Sequence, residues 1–213
     1  MTVQPSRYVI VILGGLLALT AVGLEGCSEP ETETDRVQAL ERAGNVDALA
    51  KRVIDAEPDE GRLAVRSLGR LGGQAEPALR QAMKKGKPAI RAEAALVYPT
   101  VTSRQEAQEP LSELARDDPE PYVRASAVTA LGHMRAMDSM DAILEALNDP
   151  NLLVRRRAAE AVTRIVGRSY ELYLNGPEEK RLQAIDGLRQ DWKQDESHIR
   201  DYFRRNFERR QRR

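Results

Sequence analysis

The sequence repeats itself with a period of about 31 residues. The segments DDPEPYVRASAVTALGHM and NDPNLLVRRRAAEAVTRI share the order Asp-Pro, Val-Arg and then a run of small residues. The shared positions of the first segment are Asp118, Pro119, Val123, Arg124, Ala127, Ala130 and Leu131. In the second segment the same positions hold, in the same order, Asp149, Pro150, Val154, Arg155, Ala158, Ala161 and Val162. A fixed period of this length is typical of repeat proteins, in which each unit packs only against its neighbours.

The repeated unit has the apolar spacing of an α-helix. Apolar or small residues at positions 0, +4, +7, +8 and +11 form one stripe on a helix, and five copies of this pattern follow one another. The copies begin at Glu60, Ile90, Val123, Val154 and Lys180, the first and last being weaker. Second amphipathic segments lie between them, around Leu79, Leu111 and Ile143. Sustained two-residue alternation is missing, so we expect an all-α fold, a right-handed α-solenoid of stacked helix pairs.

The two ends of the array differ from its middle. A leading helix pair is predicted from Val37, Leu40, Leu49, Val53 and Ile54. A closing helix is predicted in the C-terminal segment, with its apolar side formed by Trp192, Tyr202, Phe203 and Phe207. We expect Trp192 to cover the last layer of the core.

Local chemistry indicates where individual helices begin and end. Asp118 and Asp149 are predicted to cap the helices that follow them, with Pro119 and Pro150 in the first turns. Pro99 occupies a position inside the second copy, where it should end or kink that helix early.

The order DP, VR, a run of alanines and LG resembles HEAT repeats, in particular the short type also found in phycobilisome lyases. The resemblance extends from Glu60 to Leu188. It implies that the arginine after the valine bonds an aspartate of an adjacent repeat. The residues to which it assigns this structural role are Arg91, Arg124 and Arg155, with Asp118 and Asp149 as partners.

The resemblance also implies an extended binding surface, which in this family is usually lined by the second helix of each pair. The exposed positions predicted on that face are Arg80, Lys84, Lys85, Glu106, Glu109, Glu113 and Glu145. They would place a basic patch beside an acidic one.

The N-terminal segment predicts export. An apolar run without charges extends from residue 8 to residue 24, after the single basic residue Arg7. The segment LEGC, residues 24–27, resembles the lipobox of bacterial lipoproteins, except that Glu25 stands where a small residue is usual. The resemblance implies cleavage after residue 26 and attachment of acyl chains such as palmitate to Cys27. Retention of the apolar run as a membrane anchor is the alternative.

We divide the chain into a signal peptide at residues 1–26, an acylated N-terminus and acidic linker at 27–35, a repeat domain at 36–192 and a basic tail at 193–213. Ser28 is not the aspartate associated with inner-membrane retention in lipoproteins, which favours the periplasmic side of the outer membrane if the cell has two membranes. The tail carries Arg200, Arg204, Arg205, Arg209, Arg210, Arg212 and Arg213. It is predicted to be a solvated helix or to contact an anionic surface, and nucleic acid is not expected in this compartment.

Few residues are suited to catalysis. The two histidines, His133 and His198, are far apart in the sequence and do not form a metal-ligand pair. Asp138 and Asp141 are predicted to cap a helix. The segment LGRLGGQ, residues 68–74, is a turn without the lysine that a phosphate loop needs. The sequence therefore predicts a protein that is not an enzyme and that has no cofactor and no metal.

Three functions are compatible with these patterns. The first is a membrane-tethered scaffold that binds a protein or peptide partner in the bacterial cell envelope. The second is an enzyme or enzyme subunit of the bilin-lyase type, since similar repeats occur there. The third is a structural envelope protein without a discrete partner.

Overall fold

The computed structural model describes residues 32–55 and 57–211, and side chains as far as residue 205. Within these residues the regular structure consists of helices, with no strand, so the all-α prediction is confirmed for this part of the chain. The predicted signal peptide, Cys27 and the start of the acidic linker lie outside it. The α-helices are α1 (Glu33–Arg42), α2 (Val46–Asp55), α3 (Pro58–Leu71), α4 (Glu76–Lys85), α5 (Pro88–Val97), α6 (Arg104–Asp117), α7 (Pro121–Met134), α8 (Met140–Ala146), α9 (Leu152–Val166) and α10 (Glu178–Gln211).

The helices form two layers. In the first layer, α1, α3, α5, α7 and α9 pack side by side in chain order. In the second layer, α2 packs against α4 and α6 packs against α8. Each second-layer helix also packs against the first-layer helix that follows it. Helix pairs are therefore stacked in sequence order, as the repeat pattern predicts.

The buried positions agree with the predicted apolar stripe. Ile90, Val123 and Val154, which open three of the copies, are fully buried on α5, α7 and α9. Small residues allow the first-layer helices to approach closely. At Gly132 of α7, an added Cβ would lie 2.7 Å from the Cβ of Ala161 on α9. This distance is shorter than real Cβ contacts, so the packing of α7 on α9 requires a glycine there.

The second-copy helix ends early, as the proline predicts. Helix α5 stops at Val97, and Tyr98–Thr100 form a 3₁₀ turn that contains Pro99. Helix α7, which has Gly132 at the equivalent position, continues to Met134. The structure therefore confirms this prediction. The helix ends here because a proline inside a helix removes a hydrogen bond and clashes with the preceding turn.

The predicted caps at the start of α7 and α9 are wrong. Helix α7 is preceded by Glu120 as its N-cap residue, and α9 by Asn151. Asp118 and Asp149 lie two residues earlier, where each carboxylate accepts a hydrogen bond from the backbone of the cap residue, at 2.9 and 2.7 Å. They shape the turn before the helix. Pro119 and Pro150 consequently lie before the helices and not in their first turns.

The acidic linker ends earlier than predicted. Residues 33–35 form the first turn of α1, so the boundary at residue 35 is wrong. Thr32 caps the helix, because its hydroxyl accepts a hydrogen bond from the backbone amide of Asp35. In return, the carboxylate of Asp35 accepts a hydrogen bond from the backbone amide of Thr32. Acidic side chains stabilise the N-terminal turn of a helix, because its free amides carry partial positive charge. The leading pair, α1 and α2, buries Val37, Leu49 and Val53 as predicted, whereas Leu40 is only partly buried and Ile54 is exposed.

Helix α10 runs without a break across the boundary drawn between residues 192 and 193. Trp192 is 6% exposed and lies in the core with Ile185 and Leu188, as predicted for a residue that covers the last layer. The rest of the predicted apolar side is less buried, because Tyr202 is 60% exposed. The ring of Phe203 lies beneath the guanidinium of Arg135, and the guanidinium carbon is 4.4 Å from the ring centroid. The side chain of Phe207 lies outside the described residues.

Candidate interaction surface

Arginines at the starts of first-layer helices hold adjacent repeats together. On α5, the Nε and Nη2 atoms of Arg91 donate to the two carboxylate oxygens of Asp118, at 2.7 and 2.8 Å. The Nη1 atom of Arg91 donates to the carbonyl of Gly86 at 3.0 Å. The hydrogen bond to Asp118 raises the pKa of Arg91, so the arginine remains charged in this partly buried site.

The same arrangement recurs one repeat later and then changes. On α7, Arg124 donates to both carboxylate oxygens of Asp149, at 2.7 and 2.9 Å. On α9, Arg155 donates to the backbone carbonyls of Asp149 and Leu174, at 2.7 and 2.9 Å. The segment after α9 thus presents a backbone carbonyl to Arg155 instead of an aspartate.

Arg181 is a fourth member of this series that the sequence reasoning missed. It lies on α10, directly after Lys180, and donates to the side-chain oxygen of Asn148 at 2.8 Å and to the carbonyl of Gly176 at 3.2 Å. The signal was present, since Arg181 follows the start of the fifth copy just as Arg124 follows Val123. These arginines act in the packing of adjacent repeats.

The residues predicted to bind a partner lie on second-layer helices. Arg80, Lys84 and Lys85 lie on α4, Glu106, Glu109 and Glu113 lie on α6, and Glu145 lies on α8. Three of them have partners within the chain: Arg80 pairs with Glu76, Glu106 with Ser103 and Glu145 with Arg116. Lys84, Lys85, Glu109 and Glu113 have exposed side chains. The end of α4 is therefore basic and the middle of α6 is acidic.

An open groove of about 560 Å³, here called the α4–α6 groove, lies where these two helices begin. It is lined by Gly73, Glu76, Arg80, Thr100, Val101, Thr102, Ser103 and Glu106. Arg80 and Glu106 were predicted from the sequence. Glu76 was missed, because one acid at the start of a helix has no distinguishing pattern.

Glu76 is held at the base of the α4–α6 groove by two donors. The hydroxyl of Tyr98, a fully buried side chain, donates to Oε1 of Glu76 at 2.5 Å. The Nε atom of Arg80 donates to the same oxygen at 2.7 Å. The bond from Tyr98 lowers the pKa of Glu76, and the bond from Arg80 adds to this. Burial raises the pKa of Tyr98, and the neighbouring carboxylate raises it further.

Glu106 lies at the rim of the α4–α6 groove. Its carboxylate accepts hydrogen bonds from the hydroxyls of Ser103 and Thr102, at 2.8 and 3.0 Å, and these bonds lower its pKa. At neutral pH the groove therefore contains two carboxylates, of Glu76 and Glu106, and one guanidinium, of Arg80.

Asp138, which was predicted to cap a helix, instead connects the 3₁₀ turn before α8 with α6 and with α10. Its carboxylate accepts hydrogen bonds from Arg200 of α10 at 2.7 Å and from Gln108 of α6 at 3.1 Å. Helix α8 begins after Ser139 without a side-chain cap, and Asp141 has an exposed side chain. The hydrogen bond from Arg200 is the main cause of the lowered pKa of Asp138. Sequence patterns could not pair these residues, because they lie 62 positions apart.

The histidines and acids do not form a metal site in the described ranges. His133 is exposed at the end of α7. His198 lines a smaller hollow of about 270 Å³ between the end of α9 and α10, together with Ile199, Tyr202 and Phe203. The described side chains, those of residues 32–55 and 57–205, include no group of three or more His, Cys, Asp or Glu that could hold a metal ion. Within residues 32–55 and 57–211, every helix is too short or too polar to cross a membrane.

Comparison with known proteins supports the repeat prediction for part of the chain. Residues 108–200 match the family model of HEAT repeats. The match covers the region from α6 to α10, and it confirms HEAT-like repeats there. A search of curated proteins found no significant match.

Proposed function

We propose that this chain is a membrane-tethered, non-catalytic scaffold that binds a protein or peptide partner in a bacterial cell envelope. The observation that carries the proposal is the two-layer stack of HEAT-like helix pairs, with charged side chains exposed along its second layer. Stacked repeats of this kind present an extended surface to a partner. The basic end of α4 and the acidic face of α6 would give that surface its specificity through complementary charge.

The non-catalytic part of the proposal rests on what the polar groups already do. The carboxylates of Glu41, Glu76 and Asp138 each accept a hydrogen bond from a guanidinium. Arg91 and Arg124 are engaged by aspartates of the next repeat. These groups stabilise the fold.

The proposed tether is the lipidated N-terminus. The lipobox-like LEGC at residues 24–27 follows an apolar run, and α1 begins only six positions after Cys27, at Glu33. A chain of that length spans at most about 20 Å, so acyl chains on Cys27 would hold the repeats close to the membrane. Two or more acyl chains give stable anchoring, since one chain binds only marginally. Ser28 favours the periplasmic side of the outer membrane in a cell with two membranes.

The tether is tested by intact mass spectrometry of the chain purified from its native membrane. A mature chain that begins at Cys27 and carries acyl chains is expected, and the Cys27→Ser variant should keep its signal segment and lack the acyl mass. An unmodified full-length wild-type chain would show that the apolar run is a retained anchor.

The scaffold is tested by crosslinking in cells followed by purification of the full chain. A specific partner is expected to be enriched, and Lys84→Glu with Lys85→Glu should reduce its recovery without lowering the melting temperature. Arg164→Glu is a control, since Arg164 is an exposed basic residue of the first-layer helix α9. Equal recovery with all variants would show that the partner-binding face is wrongly assigned.

A further inference from the structure

The second-layer helices share one register. Buried positions on α4, α6 and α8, and in the turns next to these helices, recur at intervals of 32 residues. The three sets are Ala75, Ala107 and Ser139; Leu79, Leu111 and Ile143; and Met83, Ala115 and Leu147. This register places Glu76 of α4 in the position of Gln108 of α6, and Glu106 in the position of Asp138.

Of the two equivalent acids Glu106 and Asp138, Asp138 binds an arginine from another helix. Asp138 accepts a hydrogen bond from Gln108, at 3.1 Å, and it also binds the guanidinium of Arg200 at 2.7 Å. Arg200 is presented by α10, where Glu196 on the preceding turn bonds its Nε atom at 2.8 Å. One turn further along α10, Phe203 packs against Arg135 at the end of α7. Helix α10 is thus attached, through its Arg200 side chain, to the turn before α8.

The α4–α6 groove reproduces the acidic half of this arrangement one repeat earlier. Glu76 and Glu106 line it as Gln108 and Asp138 face each other in the next repeat. Arg80 balances one of the two carboxylates, and the register places Ser112 in the position of Arg80. Each site therefore has one carboxylate in excess of its own basic side chains, before Arg200 is counted.

We propose that the α4–α6 groove binds an arginine or lysine side chain presented by a helix of a partner protein, with Glu106 acting as Asp138 does towards Arg200. This inference rests on the proposed scaffold function and specifies its partner. Glu106 is exposed at the rim, where it is accessible to an incoming guanidinium or ammonium. Glu76 is paired with Arg80 at 2.7 Å, so the excess negative charge lies on Glu106. The hydroxyl oxygens of Thr102 and Ser103 can accept further hydrogen bonds from the incoming cation.

The test uses the full chain in detergent and a fluorescein-labelled, alanine-rich helical peptide with arginine at every fourth position. Peptides with glutamine or glutamate in place of arginine are compared by fluorescence anisotropy at low salt. We expect the arginine peptide to bind most tightly. Glu106→Gln should weaken its binding about threefold, because a single partly exposed ion pair is lost. Glutamine preserves the capping box of α6, so this variant is expected to fold.

Glu160→Gln is the matched control, since it removes the same charge from an exposed position of the first-layer helix α9 that does not line the α4–α6 groove. It should bind the arginine peptide like wild type. Three results would overturn the inference: no binding of the arginine peptide, equal binding by Glu106→Gln and Glu160→Gln, or tighter binding of the glutamate peptide that is lost in Arg80→Gln. The last result would assign the groove to an anionic partner.

The same variants separate this inference from the scaffold function. If Glu106→Gln leaves the partner recovered by crosslinking unchanged while the Lys84 and Lys85 substitutions abolish its recovery, the scaffold function stands and the α4–α6 groove is not its binding site. If none of these variants changes recovery and the arginine peptide binds through Glu106, the groove binds basic helices but the proposed face is wrong for that partner.

Discussion

Arg124 and Asp149, which belong to successive repeats, form a bidentate ion pair that is largely removed from water. The Nε atom of Arg124 donates to Oδ2 of Asp149 at 2.7 Å, and its Nη2 atom donates to Oδ1 at 2.9 Å. The side chains are 11% and 8% exposed. The remaining nitrogen, Nη1, donates to the carbonyl of Asp118 at 2.8 Å. One guanidinium therefore joins the turn before α7 to the turn before α9.

Removal of Arg124 should destabilise the protein strongly. Arg124→Met leaves the Asp149 carboxylate buried without its counterion, and we expect the free energy of unfolding to fall by about 3 kcal/mol or more. Arg116→Met is the control, since the pair of Arg116 with Glu145 is 37% and 55% exposed and should contribute less than about 1 kcal/mol. Urea denaturation of both variants measures the difference. Similar losses in the two variants would mean that the buried pair has no special role in stability.

The close approach of α7 and α9 can be tested with two glycines. Gly132→Ala would place a Cβ 2.7 Å from the Cβ of Ala161 and 2.8 Å from its Cα. We expect this variant to lose about 1–3 kcal/mol of stability, because the helices must move apart. Gly187→Ala on α10 meets no atom within 4 Å and should gain about 0.5–1 kcal/mol, because alanine has the higher helix propensity. Thermal unfolding should shift in opposite directions, and a stable Gly132→Ala variant would contradict this packing.

Acid should weaken the attachment of α1 to α3. Hydrogen bonds from Arg70, together with one from Ser67, lower the pKa of Glu41 from 4.5 to about 2. Because the pKa is depressed in the folded state, the stabilisation is fully present above about pH 4.5 and is lost as the pH falls towards 2. The stability difference between wild type and Glu41→Gln should therefore shrink over this range.

Urea titrations at several pH values between 2 and 7 measure this difference. Glu109→Gln is the control, since Glu109 is exposed on α6, and its difference from wild type should stay small at every pH. A Glu41→Gln difference that remains constant from neutral to acid pH would contradict the role of the Arg70 contact.

The end of α10 should loosen when its contact with Asp138, in the turn before α8, is removed. Arg200 joins α10 to Asp138, and Arg200→Gln is expected to increase amide hydrogen exchange across residues 199–205 several-fold while changing the melting temperature little. Arg204 pairs with Asp201 on the same helix, so Arg204→Gln should leave exchange at residues 199–200 unchanged. If the Arg200→Gln variant exchanges its amide hydrogens at residues 199–205 as slowly as wild type, burial of Trp192 and its neighbours is enough to hold the helix.

The sequence predicted the first-layer helices better than the turns between them. The apolar positions of α5, α7 and α9 follow directly from the repeat, since their spacing leaves only one face to bury. The helix starts were less accurate. Asp118 and Asp149 have the residue type of an N-cap, but each lies two positions too early because its carboxylate serves an arginine of the preceding repeat.

The candidate site was predicted only in part. Exposure of charged residues on α4 and α6 follows from the helix pattern, which identified Arg80 and Glu106. The groove itself depends on Tyr98, whose hydroxyl fixes Glu76 from a 3₁₀ turn. This contact joins residues 22 positions apart, and no local pattern indicates it.

The sequence alone determined that the repeat region is a series of amphipathic helices, because a stripe of apolar residues with helical spacing and a fixed period can be buried only by stacking. It also determined that Arg91, Arg124 and Arg155 recur at one position of the repeat and that Pro99 ends a helix. The tertiary structure decided which acids those arginines bind, that α10 is continuous and attached through Arg200, and that Glu76 and Glu106 share a groove. Such contacts depend on the relative positions of separate helices, and the distances between side chains arise only when the helices pack.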